Sequence, residues 1–378
     1  MPASPHAQQR PARYAARLGF FIAGFGLAMW APLVPYVRER IEMSDATFGL
    51  MLLCVGVGSL TFMPLSSKLA ARFGIRPVAL TCIAVLGLAL WLIAHTHSLL
   101  TLGMALFGFG ASLGVLDVVL NIQSLMIEQA TKRRLMSNFH GMFSVGTIVG
   151  ALVMTCLLTL SLSVQLARVL MLIVIAALSA LIIKGLLSYR PSASSSSFIR
   201  PKGLVLTVGL MCFVVYLAEG AILDWSALYL VNEKAMATAH AGLGYTSFAI
   251  MVALGRFTGD RLVSRLGSMR IIVFGSVMAG AGILLSVVSP HWLLTLTGYA
   301  LCGLGCANIS PVLISSLSKQ NTLPVADAVT AATTIGFAGV LAGPAIMGAV
   351  AHISHLSVAF VMLAALLLSL TLLSKRLP

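Results

Sequence analysis

Asp117, Glu219 and Asp224 each lie inside a run of apolar residues, where inserting an ionisable side chain into a bilayer costs on the order of 3 kcal/mol. A carboxylate in such a place can take up and release a proton, which is the chemistry a proton-coupled carrier needs. Its other use is structural, as an interhelical hydrogen bond or a salt bridge, and Arg256 in a later apolar run is the obvious partner. His140 is the histidine nearest the interior of a run; its ring can donate, accept or carry a proton, and its place about one turn inside the run suits a capping role equally well. Asn121, Gln123 and Asn308 pair donors with acceptors, as recognition of hydroxyls or amides requires, and Trp30, Tyr216 and Trp225 offer stacking faces. The same asparagines can join helices, and the two tryptophans can serve packing alone.

Other chemistries find no support. The cysteines Cys54, Cys82, Cys156, Cys212, Cys302 and Cys306 all lie in apolar runs, which implies no disulfide framework. Cys302 and Cys306 share a helix face, but no histidine or carboxylate stands near them in sequence, so no metal site and no cofactor are expected. No Walker loop, nucleophile elbow or metal-ligand spacing occurs, so the chain is not read as an enzyme and its energy must come from a gradient.

The elements that position these residues follow from composition. Of 378 residues, 59% are hydrophobic and 9% charged, against about 25% charged in a soluble domain. Twelve apolar windows, beginning with 16–37 and ending with 354–374, predict an all-α membrane protein of twelve transmembrane helices. Sorted by alternate loops, 19 basic residues fall on the side of the termini and only Arg38, Arg40, Arg168 and Lys234 on the other. The positive-inside rule then predicts cytoplasmic termini. The net charge of +14 is scattered over short loops, so it reads as topology and excludes a nucleic-acid partner. A Ser-rich stretch predicts a cytoplasmic linker at 188–202 between two six-helix bundles, 1–187 and 203–378.

An internal repeat supports that division. Trp30 and Trp225, Gly49 and Gly244, Gly108 and Gly303, Gly110 and Gly305, and Gly141 and Gly336 share an offset of 195 residues. Lys68-Leu-Ala-Ala-Arg72-Phe-Gly74 recurs at a slightly shorter offset as Arg261-Leu-Val-Ser-Arg265-Leu-Gly267. Gly108, Gly110, Gly114, Gly303 and Gly305 are expected to allow close helix approach, and Pro32, Pro35, Pro311 and Pro344 to break helices. No carboxylate is matched across the 195-residue register, which marks all three as additions to the scaffold.

On these residues the chain resembles the major facilitator superfamily along essentially its whole length. The family's Gly-x-x-x-Asp-Arg-x-Gly loop is matched by Ser67 to Gly74, with Ser67 for the glycine and Ala71 for the aspartate; in the second half Asp260 and Ser264 take those places. Gly108-Phe-Gly-Ala-Ser-Leu-Gly-Val-Leu-Asp117-Val-Val-Leu-Asn121, Asn138-Phe-His140-Gly, Ala218-Glu219-Gly-Ala-Ile-Leu-Asp224-Trp225 and Gly255-Arg256-Phe-Thr-Gly259-Asp260-Arg261 resemble the fucose-permease-like branch. The resemblance implies a proton-linked role for Asp117, and a gating or charge-clamp role for Arg72, Arg256, Asp260 and Arg265. The second acidic residue of that permease aligns with Ala31. A monomer is expected, with a small molecule, protons and the lipid bilayer as its partners. Three function classes fit: a proton symporter of a small polar, sugar-like solute; a proton-antiporting exporter of drug-like or apolar compounds; and a membrane scaffold or sensor that transports nothing.

Overall fold

In a bilayer no water satisfies the backbone, so a spanning chain must close its hydrogen bonds within helices, and the computed structural model is helical accordingly. It describes residues 5–30, 33, 37, 40–42, 45–160, 162–192, 201–236 and 243–377. The helices are α1 (Pro5–Met29), α2 (Asp45–Phe62), α3 (Ser66–Phe73), α4 (Ile75–His95), α5 (Leu99–Thr131), α6 (Met136–Thr159) and α7 (Val164–Ile182). They continue as α8 (Gly203–Lys234), α9 (Leu243–Leu266), α10 (Ser268–Val288), α11 (Trp292–Cys306), α12 (Ile309–Ser316), α13 (Val325–Ile353) and α14 (Leu356–Leu373).

Ten of the described helical stretches are long and apolar enough to cross a membrane, counting α2–α3 and α11–α12 as one stretch each. The expected twelve are not all met by this measure. α1 and α9 are 25 and 24 residues long, but Arg10, Arg13 and Arg17 occupy the first half of one, and Arg256, Asp260, Arg261 and Arg265 the second half of the other. The proline expectations are corrected in part. Pro311 acts as foreseen: it has no N–H to offer the Ala307 carbonyl, and the chain turns at Ala307–Asn308 between α11 and α12. Pro64, not singled out, lies in the 3-10 turn Met63–Leu65 that separates α2 from α3. Pro344 sits inside an unbroken α13, and Pro32 and Pro35 lie outside the described residues.

The chain divides into two compact units. One takes Met1–Arg133, Phe139–Ser197 and Leu323–Thr330; the other takes Arg134–Asn138, Phe198–Thr322 and Ala331–Pro378. Each is held by helices that meet backbone to backbone. In the first unit a methyl group at Gly110 would collide with the Val55 carbonyl oxygen, and one at Gly146 with that of Phe21. In the second, Gly303 meets the Phe248 carbonyl and Gly339 that of Phe213 in the same way. These contacts repeat at offsets of 192 and 193, not at the 195 of the Trp30–Trp225 pairing. Gly74 and Gly267, also 193 apart, both adopt positive φ, +91° and +84°, a conformation only glycine takes without strain. Gly108, expected at a helix contact, faces open space.

Of the basic residues that broke the charge bias, Arg38 lies outside the described residues and the other three have structural work. Arg40 donates to the carbonyls of Ile93, Ala94 and Thr96 at 2.9, 2.6 and 2.9 Å, closing the end of α4. Lys234 donates to those of Val287 and Ser289 at 3.0 and 2.5 Å, closing the end of α10. Both caps place a cation at the negative end of a helix, and their acceptors Ala94 and Thr96 match Val287 and Ser289 at the 193 offset. Arg168 is 2% exposed, and its Nη1 and Nη2 lie 3.0 and 3.3 Å from His95 Nδ1 and Nε2, which joins α7 to the end of α4. The segment after α7 is tied to the first unit as well: Ile75 N–H donates to the Tyr189 carbonyl and Arg76 N–H to that of Leu187, each at 3.1 Å.

Overpacking a backbone contact costs about 1–3 kcal/mol. Gly110→Ala and Gly303→Ala are therefore expected to lower the thermal midpoint of the solubilised protein by several degrees, while Gly108→Ala leaves it unchanged. Intrinsic tryptophan fluorescence during heating reads all three.

Candidate functional site

Asp117 lies two residues from the centre of α5, Glu219 within a residue of the centre of α8, and Arg256 within two of the centre of α9. At 1.5 Å per residue these are within about 3 Å of the helix midpoints. Asp224 is about one turn further along α8 and exposed. Each unit thus carries its own mid-helix polar group.

In the first unit the centre is neutral hydrogen bonding. Asn121 Nδ2 donates to the Asp117 carbonyl oxygen at 2.9 Å, one turn back along α5. That fixes the amide so that Oδ1 faces His140 Nε2 at 3.0 Å. Nε2 must then carry the hydrogen and donate it, which leaves Nδ1 unprotonated in the neutral ring. Phe20 of α1 packs on the imidazole with ring centroids 5.0 Å apart. His140 and Asn121 are both buried, and Asp117 beside them is half-buried. His140 therefore joins α6 to α5 and is no surface cap.

The second unit holds charge. Arg256 Nη2 donates to Glu219 Oε1 at 3.3 Å, with the arginine side chain 10% and the glutamate 27% exposed. The pair is enclosed but the carboxylate keeps one open side. Breaking such a pair by removing one partner leaves an uncompensated charge, so either single substitution is expected to destabilise. Tyr245 of α9 lies within electrostatic reach of Glu219, Arg256 and Asp224. Cys306 lies within the same reach of Glu219 and Arg256. Tyr245 was not foreseen, and nothing in its local sequence marks it.

Several candidates are engaged in holding helices together. Gln123 is fully buried, its Nε2 donating to the Ala12 carbonyl at 3.3 Å and its Oε1 accepting from Leu187 N–H at 3.2 Å. Asn308 stands at the α11–α12 turn and donates from Nδ2 to the Gly255 carbonyl at 2.8 Å, its Oδ1 so close over Gly259 that a methyl there would collide with it. Tyr216 packs beside Gly336, and Trp225 lies against Gly348 with its indole nitrogen buried and without a hydrogen-bond partner. Trp30 is buried at the end of α1.

The charge-clamp residues are similarly divided. Asp260 accepts from the N–H groups of Ser137 and Asn138, each at 3.1 Å, so its carboxylate caps the first turn of α6. Residues Arg134–Asn138 fall in the same unit as Asp260. Arg256 is engaged at Glu219 instead. Arg72 is exposed, its guanidinium 5.2 Å from the Phe73 ring centroid, and Arg265 is exposed. Asp327, also unforeseen, is fully buried in the first turn of α13; an acidic residue in a first turn was the available signal.

Comparison with known proteins completes the picture. A profile of the Major Facilitator Superfamily matches residues 18–207. An uncharacterised MFS-type transporter of Yersinia pestis is 43% identical over 357 residues, covering 93% of this chain and 92% of the relative. The membrane protein MosC of Rhizobium meliloti is 30% identical over 335 residues, 88% of this chain and 82% of its own. The crystal structure of the E. coli fucose:proton symporter FucP aligns over 97% of this chain and 98% of that chain with a TM-score of 0.79 at 17% identity, which shows a common fold.

Two measurements probe these contacts. In a thermal-unfolding cycle Glu219→Gln and Arg256→Gln are each expected to destabilise by about 3 kcal/mol, and the double variant by clearly less than the sum. Asp260→Asn is expected to weaken the α6 cap by about 1 kcal/mol, seen as faster hydrogen exchange at Ser137 and Asn138.

Proposed function

The chain belongs to the major facilitator superfamily, and from that premise we propose that it carries a small polar, sugar-like solute by proton symport. Two six-helix bundles, 1–187 and 203–378 with a linker at 188–202, alternate access to a midplane site in the bacterial inner membrane, both termini cytoplasmic. The protein acts as a monomer.

One observation carries this reading: ionisable groups sit at helix midpoints in both units, Asp117 beside the Asn121–His140 hydrogen bond and Glu219 against Arg256. Groups so expensive to bury persist where they move protons or bind polar solutes. The fold shared with FucP, described as a fucose:proton symporter, supports the same reading, as does the excess of basic residues on the side of the termini. Asp117 and Glu219 are the proton carriers, with Asp224 and His140 as accessory groups. Asn121, Gln123, Asn308, Trp30, Tyr216 and Trp225 shape the polar and aromatic surroundings of the solute. Asp260, Arg72 and Arg265 act at the helix ends that gate the cavity, and Arg256 is the switchable partner of Glu219.

The test is the sign of a proton flux. Right-side-out vesicles containing the protein are given a panel of hexoses, polyols and other neutral metabolites in an unbuffered medium. Symport makes the medium more alkaline when the right solute is added, and Asp117→Asn and Glu219→Gln are each expected to lower that rate at least about a hundredfold, as loss of an essential proton carrier does. Acidification would instead identify an antiporter, and uptake that ignores an imposed pH gradient and both substitutions would sink the proposal.

A further inference from the structure

A cavity of about 340 Å³ opens where α8 begins and where α12 and α14 end, away from the mid-helix groups. It is lined by Lys319, Gln320, Asn321, Thr322 and Lys375, with Leu204 and Leu377 as apolar walls. We infer that this cavity binds the phosphate headgroup of an anionic phospholipid.

The chemistry of the lining selects the ligand. Two ammonium groups, two carboxamides and a hydroxyl face one space, and among the described residues no carboxylate lines it. Gln320 is 7% exposed, and its Oε1 accepts from both Thr322 N–H and Thr322 Oγ1 at 2.9 Å. That bond fixes the carboxamide in one orientation, so the polar wall is built and not assembled from mobile surface chains. The α8 terminus adds positive character: its N-cap Lys202 makes no side-chain cap, and its first turn holds no acidic residue. A donor-rich, acceptor-poor space of this kind takes an anion with several oxygens.

The two leucines and the position distinguish a lipid from free phosphate. Inorganic phosphate has no use for Leu204 and Leu377, whereas the glycerol and first acyl carbons of a phospholipid do. All three segments meet at helix ends, and helix ends lie at headgroup depth. A basic pocket at that depth, at the end of the chain's spans that carries most of its lysines and arginines, faces the leaflet where anionic lipids gather. This site is independent of proton coupling, and nothing in it requires the solute to be known.

Native mass spectrometry of the full-length protein in detergent, titrated with phosphatidylglycerol, phosphatidylcholine or inorganic phosphate, tests the inference. One retained phosphatidylglycerol is expected, with phosphatidylcholine not retained. Lys319→Gln/Lys375→Gln should weaken retention by about thirtyfold, the effect of two interfacial lysines. Lys184→Gln/Arg270→Gln removes the same charge from exposed positions elsewhere and should leave retention unchanged. Equal losses in the two double variants would show diffuse attraction and overturn the site. A phosphate adduct that forms without phosphatidylglycerol retention, and disappears in Lys319→Gln/Lys375→Gln, would overturn the lipid assignment in favour of a free phosphate. All four side chains concerned are exposed, so gel filtration is expected to show each variant folded as the parent.

Discussion

Everything in this protein depends on how closely its helices approach where glycine meets a backbone carbonyl. Lipid tails are as apolar as leucine, so helices in a bilayer gain nothing from hiding apolar side chains against one another and are held by packing and hydrogen bonds. Gly110 on Val55 and Gly146 on Phe21 lock α5 to α2 and α6 to α1. A helix turns by about 100° per residue, so a contact that tolerates no methyl group also fixes rotation. With α5 and α6 both fixed, Asn121 and His140 are brought to face each other. Gly303 on Phe248 sets α9 against α11 in the same way, and Arg256 is turned toward Glu219 on α8.

The two units use one scaffold for different electrostatics. Capping cations Arg40 and Lys234, the glycine contacts and the positive-φ turns at Gly74 and Gly267 are common to both. The mid-helix groups are not. At the 193 offset, Asp117 corresponds to Ser310, His140 to Thr333 and Arg256 to Met63. The shared parts are those that hold helices together; the parts that differ are ionisable and sit at midpoints. Duplication supplied the frame, and the chemistry was added to each copy separately.

The sequence made much of this frame legible. Apolar length marked the spans, the basic residues marked the ends, and the two loop signatures marked the turns whose glycines take positive φ. What it hid has a physical cause in each case. The register was read as 195 because tryptophans and glycines are easy to match, but the contacts repeat at 192 and 193 because backbone carbonyls, which carry no side-chain identity, are the partners. The same blindness concealed the acceptors of Arg40 and Lys234 and the donors to Asp260. Sequence left Gln123 and Asn308 open between solute recognition and helix joining because an amide has the same inventory whether it meets a sugar or a carbonyl; the helix carbonyls they meet are backbone groups with no sequence signature. The burial of Arg168 could not be read from sequence because its partner, His95, sits 73 residues away on another helix.

The hydrogen-bond pattern separates the groups that can move the protein from those that can only hold a proton. His140 already donates from Nε2 to Asn121; a second proton would go to Nδ1 and leave that bond intact, even strengthening it. Protonating His140 therefore changes charge without breaking a helix contact through this bond. Glu219 behaves oppositely. A proton on its carboxyl removes the ionic character of the contact with the enclosed Arg256 guanidinium. In the proposed mechanism, proton uptake in the second unit thus weakens an ionic contact between α8 and α9, and weakening such a contact can shift a helix. The first unit keeps its Asn121–His140 bond in either protonation state of the ring, so of these two contacts only the ion pair of the second unit changes character when a proton arrives.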